Sequence, residues 1–328
     1  MSKLVTVYGG SGFVGRYIVR RMAKRGWRVR VAVRRPNEAL FVKPYGVPGQ
    51  IEPVPCNIRD DASVRQAMRG AEIVVNCVGT FDRGGRNNFD AIQADGAARV
   101  ARIAAEEGVQ RLIHLSALSA SDESSSRYAR TKAEGERAVF GAFPQAVIMR
   151  PSVIFGTEDK FFNKFAGMSV YSPILLTPHA NTRLQPVHVD DVAQAVMKAA
   201  DGEAVPGIYE LGGPETDTIR GLIRRILPII GRRRAVMGMP AWLMRIPAFV
   251  LDAVSFVTRG LISNRIITND QISMLERDNT VSEGAKGFAE LGIKPAAMEA
   301  VLPEYLWRFR RSGQFAAIKA SAENLKKV

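Results

Sequence analysis

Gly9, Gly12 and Gly15 recur at every third residue of LVTVYGGSGFVGR (4–16), with Ser11 and Phe13 between them. Glycines at this spacing, between a strand and a helix, suit phosphate. The first permits a tight turn, the second lets backbone approach a pyrophosphate, and the third lets helix and strand pack closely. The helix then offers unpaired N–H groups and the positive end of its dipole. A second constellation is Tyr128 and Lys132 in YARTK. Four residues apart on a helix, the two side chains share a face. An ammonium beside a phenol lowers its pKa, and the tyrosine then acts as acid or base. Ser116, in HLSALSA, completes the set, with Ser119 in reserve. The same side chains can also hold a nucleotide without turning it over, so the centre is either working or vestigial.

The residues after the second strand bear on the nucleotide. An NAD site carries Asp or Glu there, against the ribose 2′-hydroxyl. This chain has RVAVRRP, which places Arg34 and Arg35 at that point. Guanidinium groups grip a 2′-phosphate that a carboxylate would repel. NADPH is therefore expected over NADH, the alternative being a solvated basic turn. Arg16 adds to the same field, and Asp60 suits a helix N-cap.

The elements that must position these residues alternate. Apolar, β-branched runs at 4–8, 29–33, 51–54, 73–78, 111–115 and 146–149 have strand length. Helical patterns lie between them near 13–25, 61–69, 87–107 and 126–140. The alternation predicts an α/β fold, a Rossmann-type doubly wound parallel sheet, followed by a smaller, mostly helical C-terminal lobe. The expected division is 1–215 for the nucleotide-binding domain, with a late strand near 207–211, and 216–328 for the lobe. The two cysteines build no disulfide framework and point to a reducing compartment. With His114, His179 and His188 scattered, no metal site is expected.

RPSVIFGTEDKFFNKFA (150–166), LQPVHVDDVAQAV (184–196), YELGGPE (209–215) and SSRYARTKAEGE (125–136) carry a resemblance. They are similar to the extended, NAD-dependent epimerase/dehydratase-like branch of the short-chain dehydrogenases/reductases. More narrowly, they resemble the nucleotide-binding accessory subunits of respiratory complex I, the NADH:quinone oxidoreductase. The resemblance covers roughly residues 3–310. It implies tightly held, structural NADPH and a place on the peripheral arm near the membrane and the quinone site. It also implies a cofactor shell of Gly9, Ser11, Gly12, Phe13, Gly15, Arg34, Arg35, Asn57, Ile58, Cys77, Val78, Gly79, Tyr128, Lys132, Pro151 and Val153. Asn57 stands where relatives have Asp, and Cys77 and Val78 depart from an Asn-Ala-Ala-Gly-like segment. Asp190 and Asp191 fall in the family's V-x-D-V region and are expected at a helix start.

Charge calls for a partner without choosing among nucleic acid, acidic lipid and the acidic face of another protein. Lys and Arg number 46 against 32 acids, a formal net charge of +14, so an anionic partner is expected. Segment 220–265 holds nine arginines and one acid, Asp252, beside a long apolar run. Arg245, Asp252 and Arg259 form a narrow polar stripe. Such a helix docks on a partner or lies at a bilayer surface against anionic headgroups, or is buried in the lobe. No uncharged run is long enough to span a bilayer. Nucleic acid is not expected, since the basic cluster lacks interleaved aromatics. A chain opening directly on a strand pattern, with no transit peptide, suggests a bacterial protein on the cytoplasmic side of the inner membrane, held peripherally with other complex I subunits. The alternatives are an independent NADPH-dependent reductase or epimerase/dehydratase of a small substrate, and a redox-sensing regulator.

Overall fold

The structure is a computed structural model that describes residues 3–81, 85–240, 243, 269–311 and 313–315. Strands β1 (Leu4–Tyr8), β2 (Arg28–Val33), β3 (Ile51–Pro55), β4 (Ile73–Asn76), β5 (Arg111–Leu115) and β6 (Val147–Pro151) open the chain. After β7 (Ile154–Phe155), β8 (Ile174–Pro178), β9 (Arg183–Leu184) and β10 (Val187–His188) comes β11 (Gly207–Leu211). It joins the first six in a seven-stranded sheet of order β11-β6-β5-β4-β1-β2-β3. Every pairing in that sheet is parallel. The order reverses between β1 and β4. At such a reversal the connections leave in opposite directions, and a crevice opens beyond the strand ends.

Helices cover both faces, as buried parallel strands require. On one face α1 (Phe13–Lys24) and α6 (Val189–Ala200) bury Ile18, Val19, Met22, Val192 and Val196 against Val5, Val7 and Val31. On the other, α2 (Asp61–Met68), α3 (Asp95–Glu106) and α4 (Arg127–Ala142) pack on Tyr8, Val74, Leu112 and Ile148. Asp60 caps α2, its carboxylate accepting the Ser63 amide at 2.8 Å. Asp190 and Asp191 lie in the first turn of α6, after the cap His188. They tie that helix outward: Arg21 donates twice to Asp190, and Asp191 accepts the Ala296 amide at 2.7 Å.

A third apolar cluster joins α5 (Phe162–Tyr171), β8, α7 (Ile219–Ile229) and the helix Met298–Leu306. Phe288, Leu291 and Ile293 instead pack into the core under α1 and α6. The lobe expected over 216–328 also holds two short strands beside its helices. Strands β12 (Asp217–Thr218) and β13 (Ala235–Met239) lie there, and β13 pairs in parallel with β8. A five-residue apolar run has no periodicity to separate strand from helix, and its distant partner decides.

Among the described residues no helix is long and apolar enough to cross a membrane. The predicted stripe of Arg245, Asp252 and Arg259, with most of the apolar run 237–263, lies outside the described residues.

Candidate cofactor site

The glycine loop occupies the crevice between β1 and β4. Gly9 has φ +74°, a left-handed conformation that glycine adopts without strain. Its amide donates to Ala32 O on β2, and its carbonyl accepts the Gly12 amide, both at 2.9 Å. A Cβ on Gly9 would meet Val78 Cγ2 at 3.2 Å, so the loop lies against the end of β4. A Cβ on Gly15 would sit 2.4 Å from Gly9 O and 2.7 Å from Gly10 Cα. The start of α1 is therefore pressed onto the loop. Gly12 opens α1 without a side-chain cap, and no acid stands in its first turn. That leaves backbone donors and the helix dipole facing the crevice. Ser11 and Phe13 are partly buried beside it, Phe13 edge-on to Tyr17. Arg16 is already engaged: it pairs with Glu158 at 3.0 Å and donates to Ser11 O at 3.2 Å.

The two arginines beyond β2 differ. Arg35 pairs with Glu38 at 2.9 Å, both side chains largely exposed. Arg34 is exposed and has no hydrogen bond or ion pair among the described residues. Asn57, expected in the cofactor shell, has its side-chain oxygen turned to the Arg59 amide at 3.2 Å, and its backbone amide donates to Ser63 Oγ. Ile58 is buried.

At the ends of β4 and β5 the predicted residues converge. Asn76 Oδ1 accepts the Val78 amide at 3.1 Å, which turns its amino group to His114 Nδ1 at 3.2 Å. Burial, with Lys132 nearby, pulls the His114 pKa down to about 3, so the ring is neutral. Burial pushes the Cys77 thiol up to about 12. Lys132 is buried and donates to Leu115 O at 2.9 Å. A Cβ on Gly79 would lie 4.0 Å from its Nζ, so the end of β4 and the lysine share one site. Ser116 Oγ and Ser119 Oγ are buried with no hydrogen-bond partner among the described residues. Pro151 ends β6 and its carbonyl accepts the Leu118 amide, whereas Val153 packs into the third cluster.

The tyrosine departs from expectation. A lysine four residues on was expected to lower its pKa. Instead burial, with the Asp270 carboxylate, pushes Tyr128 up to about 12, while burial pulls Lys132 down to about 8. A phenol this weakly acidic stays protonated and is not poised as a base near neutrality. The Phe81 ring lies flat on Tyr128, centroids 5.1 Å apart and planes 5° apart, and Phe89 meets it edge-on.

Sequence reasoning missed Asp270. Its buried carboxylate accepts Ser126 Oγ and the Arg127 amide at 2.8 Å, and the Tyr128 amide at 3.3 Å. It therefore fixes the start of α4, where Tyr128 lies, from more than 140 residues away, and no local pattern could announce it. Also unforeseen is the π-turn Asp90–Ala94 ahead of α3. There Gln93 Oε1 accepts from Thr131 of α4 at 3.2 Å, and a Cβ on Gly135 would lie 2.3 Å from Gln93 O.

The uncapped helix start, the glycine cradle and the partnerless Ser116 hydroxyl fit a dinucleotide. A parallel sheet that reverses at this cradle defines a dinucleotide-binding protein of the Rossmann type. Residues 5–212 match the NAD dependent epimerase/dehydratase family, and the chain belongs to that family. It is 34% identical, over 94% of its length and 79% of the relative's, to the mitochondrial NADH dehydrogenase [ubiquinone] 1 alpha subcomplex subunit 9 of Arabidopsis thaliana. A ceramide reductase of Caulobacter vibrioides is 30% identical over 78% of this chain and 79% of that one. An NADPH-dependent quinone oxidoreductase of Escherichia coli, solved with NADPH, superposes with TM-score 0.69 at 17% identity, over 92% of this chain and 98% of that one. That last likeness shows the fold.

Proposed function

We propose that this chain is a non-catalytic accessory subunit of a membrane-bound NADH:quinone oxidoreductase, and that it holds NADPH as a structural cofactor near the quinone site. The observation that carries the reading is the 34% identity to a mitochondrial complex I subunit over 94% of this chain. Its partners are then other complex I subunits of the peripheral arm. Its place is peripheral, on the cytoplasmic side of a bacterial inner membrane. Residues 1–215 hold the nucleotide and 216–328 dock.

NADPH, when bound, would supply a hydride donor. The chain's own residues supply the contacts that would hold it. The amides of the Gly9–Gly15 loop and the start of α1 receive the pyrophosphate. Arg34, unpaired among the described residues, would meet a 2′-phosphate. Lys132 and Ser116 offer donors to the nicotinamide ribose, and Val78, Gly79 and Pro151 line the path. Tyr128, covered by Phe81 and with a raised pKa, keeps its proton.

An independent NADPH-dependent reductase is the second reading, and the similarity to a ceramide reductase supports it. Tyr128→Phe separates the two, because it removes only the hydroxyl. If NADPH is structural, the assembled complex keeps its nucleotide and its respiratory turnover. Lost turnover with normal assembly and normal nucleotide content would overturn the non-catalytic reading.

A further inference from the structure

We propose that the cavity between the loop after β5 and the segment 273–279 is a binding site for a small hydroxylated carboxylate. Its volume is about 160 Å³, and no residue of the glycine cradle lines it. Pockets for drug-sized ligands run to about 300–1,000 Å³, so this one suits a smaller molecule. Four serines of one loop, Ser119, Ser121, Ser124 and Ser125, face Ser273 across it. Both walls are fastened. On the loop side the Leu118 amide donates to Pro151 O at 3.0 Å, and Arg130 donates to Ser124 O at 2.5 Å. Opposite, Thr182 Oγ1 donates to Leu275 O at 2.6 Å, and the Asn279 amide donates to Arg183 O at 2.8 Å. The space is therefore held open by the scaffold, not by the serines that line it.

The groups left over around the cavity identify the ligand. Ser119 Oγ is buried without a partner among the described residues, a state that costs free energy until something bonds it. Arg277 is exposed at the rim and has no hydrogen bond or ion pair among the described residues. The acids beside it are spent. Asp278 accepts the Arg183 amide and Arg183 Nε, both at 2.8 Å, and Glu276 accepts Ser125 Oγ at 3.3 Å. Asn279 Oδ1 accepts Ser152 Oγ at 2.7 Å, which leaves the amino group of that side chain to donate. A guanidinium, an amide and several hydroxyls thus stand without a free carboxylate to compete. A ligand carboxylate takes the guanidinium fork in two parallel bonds. Ligand hydroxyls pair with serines, which both donate and accept. A short carbon skeleton lies on Leu118, Ala129 and Met274, an apolar wall that bare phosphate would leave unused. This goes beyond the proposed function and does not depend on the nucleotide or on complex I.

The test is isothermal titration calorimetry of the purified full-length chain with L-malate, a four-carbon dicarboxylate bearing one hydroxyl. The wild type should bind malate, and should bind succinate, which lacks the hydroxyl, more weakly. Arg277→Gln should weaken malate binding about tenfold or more, the scale of one lost charge-assisted contact. Ser119→Ala should weaken it about fivefold, the scale of one neutral hydrogen bond. Arg34→Asp, in the nucleotide crevice, should leave malate binding unchanged. Wild-type protein that ignores malate would overturn the proposal, as would malate binding that neither Arg277→Gln nor Ser119→Ala weakens. Malate binding lost in Arg34→Asp would place the anion in the nucleotide crevice and would also overturn it. So would inorganic phosphate that binds as tightly as malate and is equally sensitive to Arg277→Gln, because the ligand is then not a carboxylate.

Discussion

Two alanine substitutions in the glycine loop should separate nucleotide binding from folding. A Cβ at Gly15 would lie 2.4 Å from Gly9 O and 2.7 Å from Gly10 Cα. Ordinary contact begins at 3.4 Å, so α1 would have to retreat by about an ångström. The obstacles are backbone atoms, which cannot swing aside, and overpacking of this kind costs about 1–3 kcal/mol. For a chain of this size that lowers Tm by roughly 2–6 °C. A Cβ at Gly12 meets Gly9 O at 3.1 Å, a milder approach, and Gly12 has an ordinary φ of −68°. Gly12→Ala should therefore lower Tm less than Gly15→Ala does, the cost of a small shift and a poorer helix cap, while its methyl group stands at the mouth of α1, where phosphate belongs. Scanning calorimetry of nucleotide-free protein reads the first effect, and nucleotide retained through purification reads the second. Gly15→Ala should lose both stability and nucleotide, and Gly12→Ala chiefly nucleotide. A Gly15→Ala protein that melts like wild type, or a Gly12→Ala protein that melts as low as Gly15→Ala, would contradict this.

Arg34→Asp should weaken NADPH retention roughly ten- to a hundredfold, the loss of one charge-assisted contact to phosphate, read as NADPH recovered per chain; full retention would show that Arg34 does not meet the 2′-phosphate. Asp270→Ala leaves the Ser126 hydroxyl and two amides at the start of α4 without their acceptor. It should cost about 2–4 kcal/mol, measured by denaturant unfolding. Lys132 has a pKa lowered by burial from 10.5 to about 8. Between those values the unfolded chain binds a proton that the folded chain has shed, so stability of nucleotide-free protein should climb as pH rises from about 8 to about 10.5, by about 3 kcal/mol. Lys132→Met should flatten that rise and retain less NADPH.

Sequence showed the frame of the site more readily than its fastenings. The strands and glycines of the cradle were legible because a buried parallel strand is continuously apolar and only glycine fits at Gly9 and Gly15. Tyr128 and Lys132 were legible from helical spacing. Their protonation was not: it depends on how deeply α4 is buried and on Asp270, which arrives from a distant helix. Arg35 looked equivalent to Arg34 until Glu38, three residues on, turned back to it. The oxygen of Asn57 was drawn off by a backbone turn at Arg59. Strand β13 was hidden because AVMGM has no pattern of its own and takes its form from β8.

Affinity purification of the tagged chain from gently solubilised membranes, identifying the proteins that elute with it, tests most directly whether this chain is a nucleotide-holding part of a respiratory complex. Complex I subunits should co-elute. A chain that elutes free of them, found in the soluble fraction as a lone small oligomer, would contradict that role.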